Sequence, residues 1–373
     1  MSETTAKRKW VRWSLYGGGA LLLIASFFVV RFLTAAGMFT TLTQEVDADC
    51  TAIKAVPGPE DIVVDRERRM AFVAATDRRL VQSGEPGSNA VRGGIYVIDL
   101  EGASDSWRLR PVTAFEPEDF RPHGIGLYID ENGRRFLHVV NHPARGGHTV
   151  EIFEVMEEGL LEHRQTVESD LLISPNDVQP VSADTFYATN DHGAGTEFGQ
   201  LIENFFLLSK SNVVYWDGEE ARIVANDISF ANGINVSPDG GHVYVAGTID
   251  MKLRIYEREA ETGALEMVDS VYLGTGLDNI DVQEDGRLLI SAHPKMTAFL
   301  DHASDPAALS PSQVLEVIPH AEGGGEARTL MLDNGEELSG SSVAAGYDGL
   351  MLVAGVFEPK ILVCSQKAAL SAQ

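Results

Sequence analysis

The sequence predicts an all-β fold, a six-bladed β-propeller, and two observations lead to this prediction. Beyond residue 50 the chain consists of short alternating apolar runs separated by Gly, Asp and Pro, which is typical of strands at sandwich, barrel or propeller spacing. In addition, one β-hairpin, a strand followed by a turn such as Pro238-Asp239-Gly240 and a returning strand, is repeated about six times. Repeats of this length fit the four-stranded blades of a propeller.

Each repeat begins with a polar residue at the head of its first strand. These head residues, 46 to 63 residues apart, are Glu60, His123, Asn176, Asn232, Asp278 and Ser341. In a propeller the innermost strands line the central channel, so that equivalent positions form a ring around the axis. Three further polar residues, Asp61, Asp177 and Asn279, directly follow a head residue and add a second layer to the ring.

The ring predicts a calcium-containing channel. Carboxylates and Asn carbonyl oxygens are the hard ligands that Ca²⁺ takes, whereas the absence of a thiolate and the scarcity of His argue against zinc or copper. Several carboxylates on one axis would also repel one another without a cation. The alternative is that these polar groups only satisfy one another in a wet channel.

Two histidines give the ring a possible chemistry. His123 is the one histidine of the ring, and histidine is the side chain that most often serves as a general base. His142 ends the strand that is expected to pair with the strand of His123. A metal that polarises a carbonyl beside a His that deprotonates water makes a minimal hydrolase. The sequence has no G-x-S-x-G motif and no catalytic Cys, which disfavours a covalent route. Alternatively, the histidines are only hydrogen-bonding groups of the channel.

The charge of the chain excludes one class of partner. The formal net charge is −26, and the few basic residues of the first 44 positions make the remainder still more acidic. Such a surface repels a phosphate backbone, so we expect no nucleic-acid binding. Solubility alone explains most of the acidic excess.

The N-terminus predicts a membrane anchor. A basic segment, residues 7–12, precedes the 18 uncharged residues of Trp13–Val30, which as a helix would span about 27 Å, close to a bilayer core. A cleaved signal peptide is the competing interpretation, because Thr34–Gly37 is rich in small residues. The length of the apolar run and Arg31 favour an uncleaved signal anchor, with the basic flank in the cytoplasm and the rest of the chain outside, in a periplasm or the extracellular space.

The two cysteines, Cys50 and Cys364, bracket the predicted propeller. A disulfide between them would close a loop of several hundred residues in an oxidising compartment and take the place of the strand exchange that closes other propellers. Two unrelated buried thiols are the alternative. We favour the disulfide because the N-terminus independently places the domain outside the cytosol.

The sequence resembles the paraoxonase/arylesterase family of calcium-dependent lactonases. The matching segments run in family order from Cys50 to Cys364 and include Gly58-Pro59-Glu60-Asp61-Ile62, Pro122-His123-Gly124-Ile125, Val139-Val140-Asn141-His142-Pro143, Pro175-Asn176-Asp177, Phe186–His192, Phe230–Asn235, Asp278-Asn279-Ile280 and His293-Pro294. The segment from Asp77 to Gly93, which in the family covers the active site, matches poorly.

The resemblance implies a propeller with two calcium ions and a role for each matching residue. A catalytic ion is implied at Glu60, Asn176, Asn232, Asp278 and Asn279, and a structural ion at Asp61, Asp177 and the carbonyl of Ile125. His123 and His142 match the catalytic pair, with His123 activating water. Phe230, His293, Val356 and Phe357 match substrate-pocket positions, and the two cysteines match the disulfide of the family.

We therefore expect a membrane-anchored, calcium-dependent hydrolase of small lactones and aryl esters. The expected segments are a cytoplasmic flank (1–12), a transmembrane signal anchor (13–36), a linker (37–49), the propeller (50–366) and a C-terminal tail (367–373). Two alternatives stay open: a gluconolactonase-type enzyme acting on sugar lactones, and a non-catalytic calcium-stabilised propeller that binds a ligand or partner at the membrane surface.

Overall fold

The computed structural model describes residues 16, 19, 22–23, 25–42, 48–85, 87–112, 119–320 and 323–365. Within them, 24 strands form six four-stranded antiparallel sheets. The innermost strand of each sheet contacts the innermost strands of the sheets before and after it, and the sixth contacts the first. The sheets are thus the blades of a closed six-bladed β-propeller, as the sequence predicts.

The blades follow one another along the chain. Blades 1 to 3 consist of β2 (Pro59–Asp65), β3 (Met70–Ala75), β4 (Gly94–Asp99) and β5 (Leu109–Pro111); β6 (Pro122–Ile129), β7 (Arg135–Asn141), β8 (Thr149–Val155) and β9 (Leu161–Glu168); β10 (Pro175–Pro180), β11 (Phe186–Asn190), β12 (Ser211–Trp216) and β13 (Ala221–Ile228). Blades 4 to 6 consist of β14 (Ala231–Val236), β15 (His242–Gly247), β16 (Lys252–Arg258) and β17 (Leu265–Tyr272); β18 (Gly276–Val282), β19 (Leu288–His293), β20 (Ser312–Pro319) and β21 (Gly325–Asp333); β22 (Ser341–Tyr347), β23 (Leu350–Gly355), β24 (Lys360–Ser365) and β1 (Cys50–Lys54).

The hydrophobic core is divided into six clusters, one between each pair of neighbouring blades. Because side chains alternate along a strand, each middle strand of a blade supplies both of its faces to a core. In β15, for example, Val243 and Val245 pack toward blade 3, while Tyr244 and Ala246 pack toward blade 5. The middle strands are therefore apolar on both faces, and no blade buries its surface without its neighbours.

The ring closes in two ways at once. β1, the first strand of the propeller, pairs antiparallel with β24 as the outer strand of blade 6, and a disulfide joins Cys50 to Cys364 across this pair. The predicted disulfide is present. The expectation that it takes the place of strand exchange is wrong, because the N-terminal strand also completes the last blade.

Among the described residues, three α-helices lie between the strands of the propeller, in addition to the helical residues 25–35 near the N-terminus: α1 (Arg78–Gln82), α2 (Glu197–Phe206) and α3 (Met296–Ser304). Short 3-10 turns occupy Ser88–Ala90, Ser104–Ser106 and Glu157–Gly159. The first helix and the first of these turns lie in the segment between β3 and β4, where the family motifs match poorly. The sequence of Glu197–Leu208 predicts an amphipathic helix, and α2 confirms this prediction.

The predicted anchor, residues 13–36, lies only partly within the described residues. Residues 25–35 are helical, and Phe28 and Phe32 make ring contacts with Phe206 and Phe205 of α2. Among the described residues, no helix is long and apolar enough to cross a membrane. The flank 1–12 and the tail 367–373 lie outside the described residues.

Candidate active site

A β-bulge interrupts every innermost strand at its head residue. In β2 the pairing with β3 skips from Pro59 to Asp61, and the other five inner strands show an irregularity at the equivalent place. A bulge releases a side chain from the regular alternation and re-aims it. In blade 6 the residue passed over is Ser342, so Ser342 rather than the predicted Ser341 is the equivalent of Glu60.

Glycines allow the bulged strands to approach one another closely. A Cβ atom on Gly124 would lie 2.5 Å from Asp177 Cα, and one on Gly233 would lie 2.6 Å from the carbonyl oxygen of Asp278. Since real Cβ contacts are longer than this, both positions require glycine. Each glycine directly follows a head residue, and it brings that residue beside the polar pair of the next blade.

Two carboxylates of the second layer join neighbouring blades. Asp61 Oδ2 accepts a hydrogen bond from the backbone N–H of Ile125 in blade 2 (2.7 Å), and Asp177 Oδ2 accepts one from Ile234 in blade 4 (2.8 Å). Their other oxygens accept from the next residue of their own strands. Asp281 of blade 5 likewise accepts a hydrogen bond from the backbone N–H of Gly346 in blade 6. These carboxylates thus hold the blades together around the axis.

Glu60 lies at the centre of the predicted site and is buried. Its Oε1 lies 3.4 Å from Nε2 of His123 and accepts a 3.3 Å hydrogen bond from Asn279 Nδ2, while its Oε2 lies 3.3 Å from Nη2 of Arg78. Ser342 Oγ donates to the backbone carbonyl of Glu60 (2.7 Å). Blades 1, 2, 5 and 6 therefore meet at one residue, with blade 6 contacting its backbone and the others its carboxylate.

Four of the five predicted ligands of the catalytic ion carry an unpaired oxygen. Of the buried side-chain oxygens without a hydrogen-bond partner, four are Glu60 Oε2, Asn176 Oδ1, Asn232 Oδ1 and Asn279 Oδ1. Buried polar groups are almost always satisfied, so four orphaned oxygens on one ring fit a bound hard cation. The described residues contain no group of three or more His, Cys, Asp or Glu side chains arranged to hold a metal. Three of the five predicted ligands are Asn, so the donor set that fits here is largely amide.

Without a cation, the buried carboxylates of the ring lack sufficient counter-charge. Burial raises the pKa of Asp61 well above its usual value, and the charges of Asp177 and Glu60 raise it further. Burial also raises the pKa of Asp177 and of Asp278. For Glu60 burial acts in the same direction, but His123, Arg78 and Asn279 oppose it and lower the pKa to about 2. Four carboxylates thus compete for too few protein cations, which is the condition that a divalent ion relieves.

The predicted histidine pair is part of a row of three. Nδ1 of His123 lies 2.8 Å from Nε2 of His142, and Nδ1 of His142 lies 2.8 Å from Nδ1 of His148. Burial lowers the pKa of His142 well below its usual value, and the nearby His123, His148 and Arg78 add to this effect. His142 is therefore neutral, with one nitrogen that donates a hydrogen bond and one that accepts. The position of the proton on His123 is thus linked through His142 to the position of the proton on His148.

The predicted pocket residues fall into two groups. His293, which bonds Asp278 through Nε2 (2.6 Å), packs on Phe299, and Phe299 packs on Phe357. Val356 precedes Phe357 in the same loop, after β23. Phe230 packs instead against His192, and its backbone has a positive φ of 59°, a constrained conformation for a bulky residue. The structure places both groups beside the ring, next to Asp278 and Asn232.

A cavity of about 380 Å³ opens over the histidines. His123, His142, Arg78 and Arg121 line it, together with Thr76, Val81, Gln82 and small residues of the loop after β7. The cavity therefore reaches His123, whose Nε2 contacts Glu60.

Sequence reasoning missed two residues of this site, Arg78 and His148. Arg78 lies where the segment departs from the family pattern, so no motif identified it. His148 follows Gly146-Gly147 in the turn before β8, and only the length of that turn brings its ring back to His142. A histidine six residues after His142 is a weak signal by itself.

The site thus combines carboxylate and amide oxygens at the heads of the inner strands of a propeller with a row of three histidines beside them. The arylesterase family model matches residues 84–366. The chain is 35% identical to serum paraoxonase/arylesterase 2 of Gallus gallus over 358 residues, which cover 92% of this chain and 98% of the relative. It is 34% identical to human serum paraoxonase/arylesterase 1, with 85% of this chain and 88% of the relative covered. The chain therefore belongs to the arylesterase family.

Solved structures show the same fold at much lower identity. A putative gluconolactonase matches with a TM-score of 0.51 at 15% identity, over 87% of this chain and 94% of its own. At this identity the similarity speaks for the propeller and does not extend to its substrate.

Proposed function

We propose that the protein hydrolyses lactones and aryl esters with a calcium ion held on the propeller axis. The observation that carries this proposal is the coincidence, on one ring, of four orphaned buried oxygens and a histidine that faces Glu60 across 3.4 Å. Membership of the arylesterase family supports the ester substrate. The ring nitrogens of His123 and His142 lie within hydrogen-bond distance of each other. A propeller that only binds a ligand has no need of such a pair, which argues against the non-catalytic alternative.

The catalytic ion would be held by Glu60, Asn176, Asn232, Asp278 and Asn279. A calcium ion bound there polarises an ester carbonyl and stabilises the negative charge that develops on its oxygen. The second, structural ion would be held by Asp61, Asp177 and the carbonyl of Ile125. Both aspartates already accept backbone hydrogen bonds, so this site also serves the contact between blades.

His123 would act as the base that takes a proton from water. A base needs a free lone pair, and the atom that faces Glu60 is Nε2. Nε2 is free when the proton of His123 sits on Nδ1 and is donated to Nε2 of His142. His142 must then carry its own proton on Nδ1 and donate it to Nδ1 of His148. The accepting nitrogen of His148 therefore selects the base-competent form of His123, which makes His148 a positioning residue.

The proposal is tested on the purified full-length protein with phenyl acetate and δ-valerolactone, in calcium and after exhaustive chelation with EGTA. We expect activity in calcium, loss on chelation and recovery on adding calcium back. Activity that persists without calcium would contradict the metal mechanism. Activity on neither substrate would contradict the hydrolase function.

We also propose that residues 13–36 anchor the chain in a membrane by a single pass, with the propeller outside the cytoplasm. The disulfide supports an oxidising compartment, and the uncharged run of Trp13–Val30 supports the anchor. Extraction of the membrane fraction with alkaline carbonate tests this: the full chain should stay in the pellet, and release into the supernatant would contradict the anchor.

A further inference from the structure

We infer that the cavity above the histidines contains an anion subsite, built by Arg78, that selects lactones and esters bearing a carboxylate close to the scissile carbonyl. The inference rests on the proposed hydrolase function and names the substrate class of the same site. It begins from Arg78, a largely buried cation that the family motifs do not account for.

The side chain of Arg78 is held in place, but its guanidinium has donors that form no hydrogen bond. Its side chain is 14% exposed, and its Nε and Nη2 atoms are buried without a hydrogen-bond partner. Its contact with Glu60, at 3.3 Å, is an ion pair that lacks hydrogen-bond geometry. A guanidinium carries five donors in a planar fork that matches a carboxylate, so unpaired donors at a cavity wall are suited to an anionic group that enters from outside.

The cavity around Arg78 offers no further protein carboxylate to its unpaired donors, so the partner that fits them is an anion from outside. None of the described residues lining the cavity is acidic, although the chain as a whole has a net charge of −26. Arg121, the other cation of the wall, already donates to the carbonyls of Ser88, Asn89 and Val91. Arg121 therefore fixes the loop after α1, and Arg78 is the cation that remains available to a ligand.

The position of Arg78 limits where the charge of the substrate lies. Arg78 contacts one oxygen of Glu60 and His123 contacts the other, so the guanidinium and the base flank a single carboxylate. When a cation takes up the oxygens of Glu60, the guanidinium loses that counter-charge and faces the cavity. A substrate carboxylate within two or three bonds of the reacting carbonyl would reach it.

A suitable substrate is a five-membered lactone with a carboxylate on the ring carbon that carries the ring oxygen. Water adds to its carbonyl carbon, the ring C–O bond breaks, the ring oxygen leaves as a hydroxyl, and one proton is released. The product is a hydroxy-dicarboxylate. The matched neutral compound is the same lactone with a carboxamide in place of the carboxylate.

The experiment compares 5-oxotetrahydrofuran-2-carboxylate with its carboxamide by proton release, for the wild type, Arg78→Gln and Arg78→Lys. The measured quantity is the ratio of kcat/KM for the carboxylate to that for the carboxamide. We expect a ratio above one in the wild type, at least tenfold lower in Arg78→Gln and partly restored in Arg78→Lys. Arg134→Gln, which removes an exposed cation of blade 2 paired with Glu154, controls for the change in net charge and should keep the wild-type ratio.

A binding measurement separates this inference from the proposed function. Glutarate, a stable dicarboxylate, is titrated calorimetrically into each protein, so that no turnover is needed. Weaker binding to Arg78→Gln than to the wild type and Arg134→Gln supports the subsite; equal binding to all of them overturns it. A wild type that hydrolyses phenyl acetate but shows the same ratio as Arg78→Gln overturns the subsite alone, whereas an inactive wild type overturns the hydrolase function.

Discussion

Removing the disulfide should cost the propeller much of its stability. The double substitution Cys50→Ala and Cys364→Ala opens a loop of 314 residues, and the loop-entropy relation gives roughly 6 kcal/mol for a loop of that length. That figure is an upper limit, since the unfolded chain is more compact than a random coil. We therefore expect the free energy of unfolding to fall by about 3–6 kcal/mol. The pairing of β1 with β24 stays in both proteins and does not enter the difference.

Trp107 provides a local probe for this measurement. It is buried between blades 1 and 6 and contacts Tyr347 at a ring separation of 6.4 Å. Urea unfolding followed by tryptophan fluorescence should show a lower midpoint for the double variant, and reduced wild-type protein should behave like the variant. If all three midpoints coincide, strand exchange alone closes the ring, and the reasoning from loop entropy is wrong.

Three further predictions test individual residues. Burial lowers the pKa of His138 from 6.5 to about 4, so the unfolded chain takes up a proton that the folded chain does not, and stability falls as the pH drops from 6.5 to 4. Relative to His138→Gln, the free energy of unfolding of the wild type should fall by about 3 kcal/mol over this range. Parallel curves of stability against pH for the two proteins, measured by urea unfolding, would contradict this prediction. Glu60→Gln should weaken calcium binding at least tenfold by calorimetry, while Glu67→Gln, an exposed neighbour in the same blade, should bind like the wild type. His148→Leu should lower kcat about tenfold with little change in KM, and His148→Asn, which restores an acceptor, should recover most of it; equal kcat values for the two variants would exclude a role in positioning.

The strands and the ring could be predicted because they follow from local pattern. Alternation of apolar residues marks the strands, and the hairpin turns mark the repeats, as in Phe230–Gly240 and the strand that returns after it. The position of the ring then follows from the symmetry of a propeller. Sequence reasoning places Asn232 at the head of its strand for this reason, and the structure finds it at the bulge of β14.

The contacts between blades could not be predicted, because they depend on the register of one sheet against the next. Asp61 was predicted only as a calcium ligand, yet its two oxygens accept hydrogen bonds from Ile62 and Ile125. The head of the sixth repeat is Ser342 and not the predicted Ser341 for a similar reason, because the bulge in β22 decides which of the two serines takes the equivalent position. His148 depends on the path of a turn, and Arg78 on the fold of a segment without family motifs.

Closure of the ring and binding of the cation are linked through Glu60. Ser342 of blade 6 donates to the carbonyl of Glu60, and Asn279 of blade 5 donates both to that carbonyl and to the side chain. A cation on the side chain of Glu60 therefore stabilises the arrangement that brings blade 6 against blade 1, and the disulfide between β1 and β24 stabilises the same closure from the outer edge of blade 6. Because such coupling is reciprocal, the loss of the disulfide should weaken calcium binding by the same factor by which calcium favours formation of the disulfide. Calcium titrations of the double cysteine variant measure this factor, and an unchanged affinity would show that the bulge of β2 holds Glu60 independently of closure.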